Sequence, residues 1–537
     1  MNLSDLGSQP GKVESIMLEA GYIANPLHAY SKLANKHSIL LESAEIDSKD
    51  NLKSLLLIDA ALRIKCSGNL VTIEALSDNG QSLIPFIANL LEDNISELSH
   101  NSVVLLFDAP MSNLDEDSRL KQSSVFDALR TIQTSIRALR EHPHAVFLGG
   151  VFAYDLLASF ESLPPVSDSL NTCPDYLFYL AETLILVDHQ TKHTQIIGSV
   201  FSGADVANQY FSVHQRLEFI NNQIIHLSNS DEVEENILPI NPHSEVKLNK
   251  SDETFCQDVL RLKENILDGD IFQVVPSRIF TLECSQPLLA YQQLKLTNPS
   301  PYMFFMQDQD FVIFGASPES ALKYDAKSNY VEIYPIAGTR PRGKRADGSI
   351  DVDLDSRLEL DLQQDQKEKS EHIMLVDLAR NDVARVSKPG TRHVKDLLKV
   401  DRYSHVMHLV SRVVGELRED LDALHAYQAC MNMGTLVGAP KISAATLIRQ
   451  TENERRGSYG GAVGYFNGNG DFDTCIVIRS AFVQNNLAHV QAGAGVVNDS
   501  VPQSEADETR VKAQAVISAI KRSHSVKPQE LFNKEDK

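Results

Sequence analysis

The chain has 537 residues, too many for one ordinary hydrophobic core, so two to four domains or an unusually large interior are expected. It carries 50 Lys and Arg against 72 Asp and Glu, a formal net charge of −22, and no helix or loop bears a long basic stripe; this excludes nucleic acid as a partner. The most apolar run, LLLIDAALRI (55–64), is broken by Asp59 well short of the roughly 18 apolar residues a membrane span needs.

In chain order, the start MNLSDLGSQPGKVES lacks a basic segment followed by an apolar one, so no secretory signal is read there. Strand-like runs follow: SLLLIDAALRIKC (54–66), SVVLLF (102–107), HAVFLGGVFAY (144–154), DYLFYLAETLILV (175–187) and HTQIIGSVF (193–201). Among them lies an amphipathic helical stretch, VFDALRTIQTSIRALREH (125–142). The polar segment 227–254 clusters four acids within Asp231–Glu235 and contains two prolines, the composition of a boundary. It divides the chain operationally into a first region, 1–240, a second, 241–525, and a polar tail, 526–537.

Downstream, helices are expected near 252–268, 364–386 and 504–522, beside strands FVIFGA (311–316), NYVEIYPI (329–336), GAVGYF (461–466), TCIVIRSAFV (474–483) and AHVQAGAGVV (488–497). The strands come in clusters rather than alternating with helices. The fold class expected is therefore α+β, with large, mainly antiparallel sheets flanked by helices. Six cysteines, at 66, 173, 256, 284, 430 and 475, show neither CxxC spacing nor disulfide-scaffold density and fit a reducing cytoplasm. None sits in a nucleophile-elbow context, so the chain should not hydrolyse glutamine itself.

Several residues invite chemistry. Ser504 followed by Asp507 has the form of a capping box, which would start a helix there and put Glu508 in its first turn. Glu371 stands just before an apolar face of Ile373, Val376, Val383 and Val386. Singly, each acid suits a helix dipole; together, in an oxygen-rich setting, they would suit Mg²⁺. Arg479 interrupts the apolar run TCIVIRSAFV, and a buried guanidinium needs either a structural carboxylate or a bound one. Gly493 and Gly495 in QAGAGVV allow close approach of a ligand or of another strand. Glu319, His408 and Thr435 read equally as turn acid, core histidine and helix cap. In YPIAGTRPRGKR (334–345), Arg340, Arg342, Lys344 and Arg345 gather without an acid and call for an anion.

Taken in order, GDIFQVVPSR, NPSPYMFF, FGASPES, PIAGTRPRG, EHIMLVDLARND, MGTLVGAPK, GGAVGYF, IVIRSA, AGAGVV and EADETR resemble the chorismate-utilising enzymes, and most closely the large subunits of anthranilate synthases. The resemblance is dense over about 240 residues and reaches the first region through LLESAEIDSKD (40–50). It implies a lyase that aminates chorismate and releases pyruvate to give anthranilate, in tryptophan biosynthesis. Chorismate carries a ring carboxylate and an enolpyruvyl carboxylate. By resemblance, Mg²⁺ on Glu371 and Glu508 holds the first, with backbone of Gly493, Ala494 and Gly495; Arg479 and Tyr459 hold the second, and Gly338, Thr339 and Thr435 line the site. Glu319 is implied as general acid for the leaving hydroxyl and His408 as participant in later proton removal. The cations after Thr339 would order the adjoining loop and steer the dianion.

The resemblance also implies a glutamine amidotransferase partner supplying ammonia, in a heterotetramer of two large and two small subunits. Tryptophan would act as feedback inhibitor, bound by Glu42, Ser43, Pro301, Tyr302, Met303, Val463 and Tyr465. Sister enzymes that deliver water, or that make aminodeoxychorismate, have lysines where this chain has Gln273 and Ala337, which favours anthranilate. A chorismate or amino-acid sensor without activity is the rival from another class. The family commonly has Ser where this chain has Val437.

Overall fold

The computed structural model describes residues 3–44, 51–109, 114–229, 236–241, 244–345, 348–402 and 406–525. The acid cluster 231–235, the second half of LLESAEIDSKD and the tail 526–537 lie outside the described residues.

Strand Tyr176–Asp188 shows how the interior is arranged. It is buried along almost its whole length, because alternate side chains enter different cores: Tyr176, Phe178 and Leu180 one, Leu177, Tyr179 and Ala181 another. It pairs antiparallel with Asn51–Ser67, Phe147–Phe152 and His193–Phe201. Twenty-three described strands join in one hydrogen-bonded network, and its pairings are antiparallel apart from a short parallel contact of Lys12–Ala20 with Arg137–Ala138. The fold is thus mixed, with a large antiparallel sheet flanked by helices.

Two pairings join residues from either side of position 240. Ser38–Ala44 pairs with Tyr302–Gln307, setting Glu42 opposite Met303 and Ser43 opposite Tyr302. Phe147–Phe152 pairs with Ala462–Asn467, setting Val151 opposite Val463. The core between them takes Ile39, Phe147 and Leu177 from the first region and Phe304, Ile313 and Val463 from the second.

Helices cover the outer faces. Asp252–Leu267 starts where the Ser251 side chain accepts from the Thr254 N–H at 3.2 Å, and buries Phe255, Val259 and Leu262 at helical spacing. Gln366–Ala384 is capped by Asp365, which accepts from Lys367 and Glu368. Glu371 is therefore in the second turn rather than at the entrance, and Ile373, expected on the apolar face, is exposed while Val376, Val383 and Val386 are buried. The last helix runs Pro502–Ser523 from Val501, without a side-chain cap. Proline at the first helical position starts it two residues before Ser504, so the expected capping box is not used and Glu505, not Glu508, occupies the first turn. The stretch 125–142 is helical only over Phe126–Ser135, then turns into strand Arg137–Ala138, where the Arg137 and Leu139 N–H groups donate to the first strand's flank.

Candidate functional site

The run TCIVIRSAFV is not one strand. It divides into Phe472–Ile476 and Ser480–Gln484, and Arg479 sits at the break with φ 48°, a left-handed conformation costly for a residue with a Cβ. The break turns the side chain out of the ladder. Its guanidinium makes no hydrogen bond or ion pair with any described residue, although Tyr459, Glu508 and Glu319 are close enough to act on its charge. The reading of a strand arginine paired with a structural carboxylate does not apply; the cation is unpaired among the described residues.

Glu319 lies in the bend between strands Val312–Ser317 and Ser320–Asp325, where the Ser317 hydroxyl accepts from its N–H at 3.3 Å and its carbonyl accepts from Ile476 at 3.0 Å. The Thr435 hydroxyl, from the short helix Gly434–Val437, donates to Glu319 Oε1 at 3.0 Å. Burial dominates the carboxyl's acidity and pushes its pKa up to about 8, against the opposing pull of Thr435, Lys512 and Arg479. At neutral pH this is a carboxylic acid with a proton to give.

Tyr459 stands in the turn after helix Lys441–Glu452, with its hydroxyl close against Gly493 and its pKa pushed up to about 12 by burial. A Cβ on Gly493 would lie 3.0 Å from that hydroxyl and 2.8 Å from the Pro276 carbonyl, so only glycine fits. The Gly493 carbonyl accepts from Lys512 Nζ at 3.1 Å and the Ala494 N–H donates to Pro276 at 3.1 Å. At Gly495 a Cβ would meet Gln273 Nε2 at 2.7 Å, while Gln273 Oε1 is buried without a partner among the described residues.

Carboxylates converge from two helices. Glu371 is pushed up chiefly by burial and further by Glu368, Glu505 and Glu508, with Lys367 at 3.9 Å offsetting them. Glu508 pairs with Lys512 at 2.5 Å, and Glu505 is also raised, by burial and by Glu508. Among the described residues no three or more His, Cys, Asp or Glu side chains form a ready-made metal cage. Two carboxylates close enough for one to raise the other's pKa nevertheless fit Mg²⁺, which takes one or two protein carboxylates and fills its other positions with water and substrate oxygens.

His408, on strand Val406–Glu416, faces Thr339 across the ladder, and its Nδ1 lies 3.0 Å from both the Gly338 carbonyl and the Thr339 hydroxyl. Burial lowers its pKa to about 4, with Arg479 adding to the effect, so it is a neutral imidazole at pH 7. Gly338 has φ 74°, and a Cβ there would press on Leu362 at 3.1 Å and Glu368 at 3.2 Å.

The cation run after Thr339 answers to acids of the chain itself. Arg340 bonds Asp361 at 2.6 Å, Asp365 at 2.7 Å and Glu368 at 3.1 Å, and Arg342 bonds Asp355 at 2.8 Å. Arg345 is 3.8 Å from Asp351. These cations fasten the loop to helices Val352–Gln364 and Gln366–Ala384, and the anion the sequence called for is largely their carboxylates.

A second hollow, of about 970 Å³, opens where the two regions meet, and Glu42, Ser43, Pro301, Tyr302, Met303, Val463 and Tyr465 all line it. Glu42 is already occupied: it is buried and accepts from Lys295 and from the Tyr291 hydroxyl, both at 2.6 Å. Asp473 and Asp471 also line the wall; burial raises the pKa of Asp473, Tyr302 donates to it at 3.3 Å and Lys323 is 3.9 Å away.

Sequence reasoning missed Glu505, Lys512 and Asp473. Lys512 was recoverable, one helical turn after Glu508. Asp473 was not, because an acid alternating within a strand reads as solvent-facing.

Residues 90–518 match the family described as chorismate binding enzyme. The chain is 58% identical over 519 residues to anthranilate synthase component 1 of Vibrio cholerae, covering 96% of this chain and 98% of that protein. It is 57% identical over 522 residues to anthranilate synthase component 1 of Escherichia coli, covering 96% and 98%. Among solved structures, anthranilate synthase component I from Streptococcus pneumoniae superposes with a TM-score of 0.65 at 28% identity, over 93% of this chain and 99% of that one. The menaquinone-specific isochorismate synthase of Escherichia coli gives 0.65 at 16% identity, over 96% and 97%, a likeness of fold alone.

Proposed function

Since the chain belongs to the chorismate-binding enzymes, within the group of anthranilate synthase component 1 proteins, we propose that it converts chorismate and ammonia to anthranilate, pyruvate and water. The observation that carries this reading is the unpaired guanidinium of Arg479 beside a protonated Glu319 and the glycine-lined backbone at 493–495. A dianion with two carboxylates needs two such receivers, and a hydroxyl leaving group needs an acid.

Arg479 and the Tyr459 hydroxyl receive the enolpyruvyl carboxylate, and Gly338, Thr339 and Thr435 bound the ring. Mg²⁺, when bound on Glu371 and Glu508, neutralises and orients the ring carboxylate beside Gly493, Ala494 and Gly495. Glu319 gives its proton to the departing hydroxyl as ammonia adds to the ring, and Thr435 keeps that carboxyl aimed. Neutral His408 then takes part in removing the ring proton as pyruvate is eliminated, its Nδ1 held by Gly338 and Thr339. Gln273 and Ala337, in place of lysines, leave no base to activate water, which supports ammonia as nucleophile.

The ammonia comes from a glutamine amidotransferase partner, in an assembly of two large and two small subunits working in the cytoplasm. The name component 1 supports a second component. No helix of the described residues is long and apolar enough to cross a membrane. Tryptophan, as end product, occupies the cavity beside Ser43: the indole against Met303, Val463 and Tyr465, and the polar end at Ser43 and the backbone of Pro301 to Met303. Glu42 is engaged with Lys295, so Asp473 is the better ammonium acceptor.

Anthranilate fluorescence from chorismate and an ammonium salt, with and without magnesium, tests the reading. Product only with magnesium is expected, and no product from glutamine alone. Absence of turnover with ammonium would leave the sensor reading standing.

A further inference from the structure

Arg456 and Glu452 are not part of the machinery above, yet both are buried charges, 1% and 9% exposed. Glu452 is the last residue of helix Lys441–Glu452, which Asn453 ends in a left-handed cap with φ 55°. Arg456 folds back on it with two bonds, Nε to Oε2 at 2.8 Å and Nη2 to Oε1 at 2.6 Å. The remaining guanidinium donors reach the carbonyls of Leu436 at 2.9 Å and Val275 at 2.6 Å. Glu452 Oε1 also accepts from the Ser277 N–H and hydroxyl, each at 2.8 Å. The guanidinium lies over two rings, 4.6 Å from the centre of Tyr154 and 5.5 Å from that of Tyr459.

Each of these contacts abuts a substrate-facing element. Leu436 follows Thr435; Val275 precedes Pro276, whose carbonyl fixes Ala494 and crowds Gly493; Tyr459 carries the hydroxyl that packs against Gly493. A pair that served only to fill the core would be replaceable by apolar side chains, and buried ion pairs are often no more stable than such replacements. A planar fork that joins three chain segments has no apolar equivalent.

We infer that the buried Glu452–Arg456 pair is a positioning device for the substrate-carboxylate pocket, acting chiefly through Tyr459, which its cation holds against the Gly493 backbone. The inference rests on the reading that Tyr459 receives a carboxylate of chorismate. A cation over the ring draws density from the phenol and strengthens its O–H as a donor.

Steady-state kinetics of the full chain with ammonium, magnesium and chorismate test it through a double-mutant cycle of Arg456→Lys and Tyr459→Phe. Arg456→Lys should raise KM for chorismate about 10-fold with kcat within about 3-fold, and add little in the Tyr459→Phe background. Additive effects, or an unchanged KM, would overturn the inference, since a merely structural role predicts no coupling to Tyr459. If Arg456→Lys does not fold, Glu452→Asp, which keeps both charges and shifts the fork, enters the same cycle with the same two outcomes. A wild-type chain that makes no anthranilate would instead overturn the functional reading on which the inference rests.

Discussion

The neighbourhood of Glu319 and the cavity beside Ser43 share a wall, since Ser320 and Tyr334 line hollows on both sides. They are built on opposite terms. Around Glu319 the polar groups are poised for a ligand: Arg479 is unpaired, Glu319 holds its proton, and Glu371 feels the like charge of Glu508. Beside Ser43 there is room for an amino acid, and the most buried acid, Glu42, is already paired. The first place stores electrostatic tension and the second stores volume. Chemistry needs the former, because stabilisation must rise as charge develops; reversible binding of a signal needs the latter.

The sharpest way to break this contrast is to relieve the tension. Glu508→Gln removes one of the repelling carboxylates and frees Lys512, and should lower kcat/KM with ammonium by at least about 10³-fold. Tryptophan binding, measured by calorimetry on the same variant, should stay within about 3-fold of wild type, because the cavity shares none of these charges. Loss of both together would merge the two places into one site.

Glu319→Gln comes next, with an activity loss of about 10²–10⁴-fold, the usual worth of a general acid. The variant should also be more stable. Glu319 has a pKa of about 8 in the folded chain against about 4.5 for an unburied glutamate, so the folded chain binds a proton that the unfolded chain has released between those values. Wild-type stability therefore falls as pH rises from about 4.5 to about 8 and is flat above. Glutamine lacks that slope, and a gain of about 1–3 kcal/mol at pH 7 is expected in denaturant titrations. Activity at constant free ammonia should decline above about pH 8 in wild type as Glu319 loses its proton. An alkaline limb that persists unchanged in Glu319→Gln would assign it to another group.

What could be read beforehand divides along the same line. Several strands of the first region and the helices near 252–268, 364–386 and 504–522 were legible because apolar alternation and helical spacing are local, and His193–Phe201 was located to the residue; Lys12–Ala20, Leu70–Ala75 and the 24-residue helix Val206–Asn229 were not read. The pairing of Ser38–Ala44 with Tyr302–Gln307 was not, since no local period encodes a partner some 260 positions away in the chain. Arg479 shows the limit more closely. Its neighbours are apolar and β-branched, so period alone continues the strand, whereas the fold breaks it with one left-handed residue. Charge was misread for a similar reason. Arg340 and Arg342 lack acids nearby in sequence, but Asp355, Asp361, Asp365 and Glu368 return on the next two helices.

The cavity's own prediction is smaller. Ser43→Phe places a ring where Ser43 now bonds the Lys53 carbonyl at 3.3 Å, filling space opposite Tyr302. Inhibition by tryptophan should weaken about 10- to 100-fold while the uninhibited rate with ammonium stays within about 2-fold, matching a coupling of about 1–3 kcal/mol between two sites. Equal inhibition of both proteins would remove Ser43 from the binding surface.

The smallest effect is expected at Arg345, and it tests whether the cation run steers substrate. Arg340 and Arg342 are neutralised by four carboxylates, so their field outside the loop is weak. Arg345 is 60% exposed and only 3.8 Å from Asp351, in a chain of net charge −22. An exposed charge of this kind is screened beyond about 8 Å at physiological ionic strength, and its pairing is worth little. Arg345→Ala should therefore change kcat/KM for chorismate by less than about 2-fold at low salt and leave no difference above about 0.3 M. A loss of about 10-fold at low salt that vanished on adding salt would restore the steering role. The cations would then extend the electrostatic tension of the active site outward through the loop, instead of closing it off with internal pairs.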